Sequence, residues 1–287
     1  MRVTHSIVTD TATMYLMRDL ARMQRVQQKI STGLNYELPS ENPVAATQIV
    51  HFKSKIAETE QYRRAIDMGV SWTEMTSTTL SQVEELLSHI LDISQQASTG
   101  AATSAEREQT ASSMRQLLEE LVMLANRQFR GKYLFGGDET LTAPFTANYE
   151  ATGELITGVT ANPNGISGQW GYLVSQVDTV RINTPGDEVF QPNGEGANDD
   201  LFVIVQDLTA AHSNQDFDAL AIEEQRLRDA ILHIADINAT VGARTTHLES
   251  IGETLDTAAL NYDAERSKLE DADMAEAIVE YLSLIHI

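Results

Sequence analysis

Seven histidines, at positions 5, 51, 89, 212, 233, 247 and 286, are the residues best suited to ligate a metal or move a proton near neutral pH. None stands four residues from another, so no helix face presents the paired imidazoles of a zinc site. Solvated or hydrogen-bonded helix positions are the expectation for them. Glu270, Asp271 and Asp273 are close enough to suggest a cation, but they lack the ligand spacing and turn glycine of a calcium loop. A solvated helix face is expected there. Gly136-Gly137 lacks the Lys-Ser/Thr of a phosphate loop and reads as a tight turn leaving a helix. Serines, histidines and aspartates abound, yet no Gly-x-Ser-x-Gly elbow singles out a nucleophile. The absence of cysteine excludes thiolate zinc sites, iron–sulfur clusters and disulfides. No catalytic residue, cofactor or metal is predicted, and the chain is read as no enzyme.

Composition narrows the partners. Twenty Lys and Arg stand against 42 Asp and Glu in 287 residues, a formal charge of −22. No basic footprint for nucleic acid is visible, and an anionic membrane surface is a poor partner for the same reason. Residues 1–6 carry no apolar signal segment, and no run is long enough to span a membrane.

The elements that would position any site are long. Residues 1–130 and 200–281 read as helices, whereas 138–199 hold eight of the sixteen glycines and four of the six prolines. Leu16, Leu20, Met23 and Ile30 recur at 3–4 spacing in a first helix that Gly33 caps. Asn42 and Pro43 open a second, which runs to a closing turn at Ser98-Thr99-Gly100, roughly 80 Å at 1.5 Å per residue. Thr103 and Glu106 stand in capping-box register ahead of a third, broken at Arg130-Gly131. Tyr172–Val174 and Val177–Ile182 alternate as strands between the turns Asn162–Gly165 and Pro185-Gly186. From about Asp216 to Tyr281 a helix of about 100 Å carries Leu227, Ile231, Ile234, Val241, Leu248, Leu255, Ala259, Tyr262 and Leu269, with Asn238, Thr245, Gly252 and Arg266 at the missing rungs. The predicted fold is mainly α: a long antiparallel helical bundle or coiled-coil rod formed by N- and C-terminal arms, with an inserted small β-rich domain. Rods of that length need partners, which favours a filament component over a globular enzyme.

Four stretches resemble one family. Gln28–Gly33, with Ser31, Thr32 and Gly33, followed by Ser40–Ala46 with Asn42 and Pro43, is similar to the N-terminal signature of bacterial flagellins and their junction relatives. Ala125-Asn126, then Tyr133, Leu134, Phe135, Gly136, Gly137 and Pro144-Phe145, resembles the junction members of that family. Val241–Arg244, with Gly242 and Arg244, and Leu269–Ala277, with Asp271 and Asp273, are similar to its C-terminal arm.

The resemblance implies a structural subunit of the bacterial flagellum that joins hook to filament, outside the cell, exported through the type III apparatus without a cleaved signal peptide. It implies other copies of the chain in a ring, a neighbouring hook-associated protein, flagellin and an export chaperone as partners. On that reading residues 1–38 form an inner-layer helix, 39–137 and 200–281 the two arms, and 138–199 the outward insertion. Leu16, Leu20, Met23, Ile30, Tyr262 and Leu269 are the expected assembly contacts. Flagellin itself is the alternative within the family. A secreted adhesin on a coiled-coil stalk is the alternative outside it. Residues 282–287 are what a transposase adapter of sequencing libraries translates to, so an artefact is expected there, with a native tail beyond about Tyr281. Resequencing the locus tests that.

Overall fold

The computed structural model describes residues 5–36, 38–98, 103–150 and 156–287; the turn expected at Thr99-Gly100 lies outside them. The chain is mainly α, with long N- and C-terminal helices and a small β-containing region. Its elements are α1 (His5–Thr32), α2 (Pro43–Ser98), α3 (Ser104–Ala125), β1 (Gln128–Phe129), β2 (Lys132–Tyr133), β3 (Phe145–Tyr149), β4 (Ile156–Ala161), β5 (Gly171–Leu173), β6 (Thr179–Arg181), α4 (Gly186–Phe190), α5 (Leu201–Asn214), α6 (Phe217–Glu270) and α7 (Met274–His286). They form two compact units, residues 1–61 with 254–287, and residues 62–253.

Local signals set most helix ends. Gly33, at φ +72°, donates its N–H to Lys29 O at 2.8 Å, the left-handed cap that closes α1. The Asn42 side chain accepts from Ala45 N at 3.1 Å and starts α2 at Pro43. Thr103 and Glu106 complete a reciprocal capping box on α3. Asp200 caps α5, and Gln215 ends it in the left-handed region.

In the larger unit α2 and α6 run antiparallel. Each buries its stripe: Ile66, Leu80, Val83, Leu87 and Ile90 on one, Leu227, Ile234, Val241 and Leu248 on the other. Two polar rungs of α6, Asn238 and Thr245, face polar groups on α2. Asn238 bonds Ser77 at 2.7 Å and Ser81 at 3.1 Å, and the Thr245 hydroxyl bonds that of Thr73 at 2.8 Å. At Gly252 an added Cβ would come within 3.4 Å of the Arg63 guanidinium. Such side-chain pairs fix register between two helices whose apolar seam alone would tolerate a slip. The buried hydroxyls of Thr73, Thr76 and Thr79 bond carbonyls one turn back, which removes most of the cost of burying them.

Each sheet is a two-stranded antiparallel pair: β1–β2, β3–β4 and β5–β6. The β3–β4 hairpin rests on α3 and α5. Phe135, Phe145, Phe190 and Phe202, all fully buried, meet beneath it with ring centroids 5.1–5.6 Å apart.

A second buried cluster joins α2, α5 and α6. The Ser94 hydroxyl lies 2.8 Å from Glu224 Oε1 and 2.9 Å from His212 Nε2. Its single proton goes to the carboxylate, so the imidazole donates Nε2–H to Ser94 and keeps a lone pair on the buried, unpartnered Nδ1. A nucleophilic serine needs the reverse, an imidazole that accepts the hydroxyl proton. Burial holds the His212 pKa below its ordinary 6.5, Glu224 pulls it back up, and Arg107 on α3 adds to the lowering. The unfolded chain therefore binds the extra proton first. The His212 contribution to stability should be level well above pH 6.5 and be lost as acid titrates the unfolded chain and then forces a charge onto Nδ1. Measured from about pH 7 to about pH 5, the urea midpoint of the native protein should fall relative to that of His212→Gln.

Candidate functional site

The two helix breaks of the smaller unit are paired. The stretch after α1 and the stretch between α6 and α7 form a short antiparallel ladder: Asn35 N donates to Glu270 O at 2.7 Å, Ala272 N donates to Gly33 O at 2.8 Å, and Leu34 bridges Asp271. Asp273 accepts from Ala275 N and Glu276 N as the N-cap of α7. Asp271 accepts from the Ser267 hydroxyl. The stretch expected as one continuous helix face is thus a corner, with Glu270 ending α6 and Asp273 capping α7. Glu270 is held by Lys53 at 2.5 Å and by Arg266 at 3.4 Å.

Beyond that ladder α7 lies along α1, and Arg22 Nε meets Glu280 Oε1 at 2.6 Å. Little apolar surface disappears between them. Val26 and Ala277 are buried, whereas Leu16 is 62% exposed and Leu20 44%. Met23 and Ile30 are half-buried. Tyr262 and Leu269, at the end of α6, are also half-buried, Tyr262 with its ring 6.4 Å from Phe52. The six expected contact residues therefore divide into an open pair on α1 and four that their own chain partly covers. Ile7, Val8, Met14, Tyr15 and Met17 on α1, with Met274, Ile278 and Val279 on α7, are exposed too and had not been singled out. They lie on several sides of their helices, so a single 3–4 stripe does not collect them. A helix apolar over most of its circumference is covered from more than one direction.

The remaining motif residues act inside the larger unit. The Asn126 amide donates to Phe145 O at 2.9 Å and accepts from Phe145 N at 3.1 Å, which pins β3 to the end of α3. Arg130 and Gly131, at φ 51° and 78°, are the two-residue turn of the β1–β2 hairpin. The helix ends earlier than expected, at Ala125, and those two residues turn strands instead. Tyr133 N bonds Thr140 O, Leu134 N bonds Arg127 O, and Phe135 O accepts from Gly186 N at 3.0 Å. Gly137 sits at φ +52° against Ser167, whose carbonyl oxygen would lie 2.1 Å from an added Cβ. On α6, Arg244 reaches Asn183 O at 3.3 Å, an oxygen that also accepts from Arg181 at 3.0 Å. Burial, reinforced by the Arg181 charge and opposed by Glu188, lowers the Arg244 pKa from its ordinary range.

Gly242 differs from Gly137. It lies within α6 with nothing within 4 Å of an added Cβ. Gly242→Ala should therefore stabilise the isolated chain by about 0.5–1 kcal/mol, read from its urea midpoint. Thr32, Asn42 and Pro43 serve the caps at either side of the first break, Thr32 through its hydroxyl, which bonds Gln28 O and accepts from Leu34 N, and Ser31 is an exposed residue of the last turn of α1. Among the described residues no group of three His, Cys, Asp or Glu is placed to hold a metal. What the geometry offers is an open apolar surface on two paired terminal helices.

Residues 3–140 match the family described as bacterial flagellin N-terminal helical region. Flagellar hook-associated protein 3 of Escherichia coli (strain K12) is 24% identical over 274 residues, which cover 91% of this chain and 86% of that protein. The protein of the same name from Salmonella typhimurium is 23% identical over 305 residues, covering 98% of this chain and 92% of its own length. The crystal structure of flagellar hook-associated protein-3 from Legionella pneumophila shares the fold, with a TM-score of 0.65 at 16% identity over 77% of this chain and 98% of that one. Flagellins stand among the further matches.

Proposed function

We infer, from the match of residues 3–140 to the bacterial flagellin N-terminal helical region and from the likeness to hook-associated protein 3, that this chain is the subunit that joins hook to filament. The observation that carries the inference is the exposed apolar surface of α1, continued on α7, which α1–α7 pairing leaves uncovered. Apolar burial is worth about 25 cal/mol per Å², so helices exposing this many large side chains gain from meeting neighbours. Copies of the chain are the neighbours within a ring, a second hook-associated protein and flagellin those above and below it. Residues 138–199 are the outward insertion on this reading, and a type III export chaperone covers the terminal helices before assembly.

The flagellin reading is supported by the same helices. It is the weaker because residues 131–137 resemble the junction members of the family and the relatives named above are hook-associated proteins. A deletion strain separates them. Loss of the junction subunit should release full-length flagellin into the medium from cells with intact hooks, whereas loss of flagellin should leave bare hooks and none in the medium.

A further inference from the structure

We propose that Arg18, Arg25 and Lys29 on α1 form a docking strip for the acidic turn Asp271–Glu276 of a second copy of this chain. The inference rests on the subunit reading above and adds a second contact, polar and directional, to the apolar one.

In a chain of charge −22, α1 carries four cations, Arg18, Arg22, Arg25 and Lys29, against two acids, Asp10 and Asp19. At 3.6 residues per turn the four cations fall within an arc of about 60°, a narrow strip along one side of the helix. The strip lies apart from Leu16 and Leu20, which project from the opposite side at the same helical pitch. Among the described residues Arg22 alone of the four pairs with a carboxylate, Glu280 of α7. Arg18 lies over the Tyr15 ring at 5.5 Å, and Lys29 reaches the amide oxygen of Asn35 at 3.3 Å. Arg25 makes no ion pair among the described residues. It borders a hollow of about 330 Å³ together with Lys29, Gln28, Asn35, Tyr36 and Glu41.

The complementary charge lies at the α6–α7 corner. Lys53 and Arg266 already neutralise Glu270, and Lys268 pairs with Glu265. Asp271, Asp273 and Glu276 are exposed and meet no cation among the described residues. Within one copy none of Asp271, Asp273 and Glu276 forms an ion pair with the strip among the described residues, and the Leu34–Asp271 bridge holds Asp271 beyond the end of α1. The middle of the strip is about ten residues away, roughly 15 Å along the helix. A neighbour displaced by about that distance along α1 sets its corner against the strip. Such a contact joins unlike surfaces, so each copy keeps one strip and one corner for further copies, as a ring or helical array requires. Like-charged subunits of this size otherwise repel, and the paired strip and corner select one offset among the many that an apolar surface would accept.

The test is charge exchange in the source bacterium, with plasmid-borne chains in a strain deleted for the native one. R18E/R25E, and separately D271K/E276K, should each lower the fraction of cells with attached filaments roughly tenfold while the variant is still found in the medium. The four-fold variant should recover attachment to within about twofold of the native chain. R18Q/R25Q should show the intermediate loss, and purified variants should keep the native circular dichroism. Normal attachment with R18E/R25E, no recovery in the combined variant, or a variant missing from the medium would each overturn the strip. If the native chain itself fails to restore filaments to the deletion strain, the subunit reading falls instead.

Discussion

Cells carrying Leu20→Glu in place of the native chain should make and export a folded protein, yet bear hooks without filaments and shed flagellin into the medium. Leu20 is 44% exposed in the isolated chain, so a carboxylate there remains hydrated and the folded state pays little for it. Surface changes of this kind stay within about 0.5 kcal/mol, and the urea midpoint should reflect that. In the assembled state the same carboxylate would be pressed among apolar side chains with no cation placed to meet it. An unpaired buried charge costs several kcal/mol per contact, and a ring repeats the contact at every subunit. Leu20→Met keeps the volume and should retain attachment. Leu16, 62% exposed on the same side, should respond in the same way. Filaments seen by electron microscopy on Leu20→Glu cells at native frequency would remove α1 from the interface. A variant that unfolds in isolation would move the effect to stability.

How much of this was legible in the sequence depends on how far each signal reaches along the chain. The caps at Gly33, Asn42-Pro43 and Thr103–Glu106 were legible because donor and acceptor lie within four residues. The polar rungs of α6 could be read as a broken heptad, although their partners on α2 stand about 160–170 residues away and only the structure supplies them. Breaks imposed from a distance were not legible. Leu269–Ala277 reads as uninterrupted helix, and the corner at Asp271 exists because residues 33–35 take over its backbone hydrogen bonds. Arg130-Gly131 looked like a helix end because both residues suit one. The helix stops sooner, at the C-cap Asn126, whose side chain holds β3. The five-residue α4 was hidden behind Pro185-Gly186, which serves equally as a turn and, with Pro185 at the N-cap, as a helix start. The open surface of α1 was caught only at the positions that keep a single period. Tyr15 and Met17 fall outside it, and their exposure is a property of what α7 leaves uncovered.

Phe190→Ala should be the most damaging single truncation in the larger unit, costing about 3–5 kcal/mol. The ring is fully buried and touches three others: Phe135 at 5.1 Å, Phe145 at 5.3 Å and Phe202 at 5.6 Å between centroids. Those rings come from the stretch after β2, from β3 and from α5, so Phe190 on α4 is where the segment between β2 and α5 meets α5. Its removal loses the transfer free energy of the ring and leaves a cavity whose walls cannot close. Phe135 is tethered through its carbonyl to Gly186, and Phe145 through its backbone to Asn126. Against a total stability of about 5–15 kcal/mol for a typical domain, that loss is large enough to open the insertion while the α2–α6 pair persists. Limited proteolysis should then cut first between residues 146 and 200, before cleavage elsewhere in residues 62–253. Phe190→Leu should cost clearly less, because it refills part of the space. Combined with Phe135→Ala, the loss should fall short of the sum of the single losses by about 0.5–1.5 kcal/mol, the edge-to-face term the pair can lose only once. Strict additivity in urea unfolding would mean that the two rings act independently and that the insertion is anchored elsewhere.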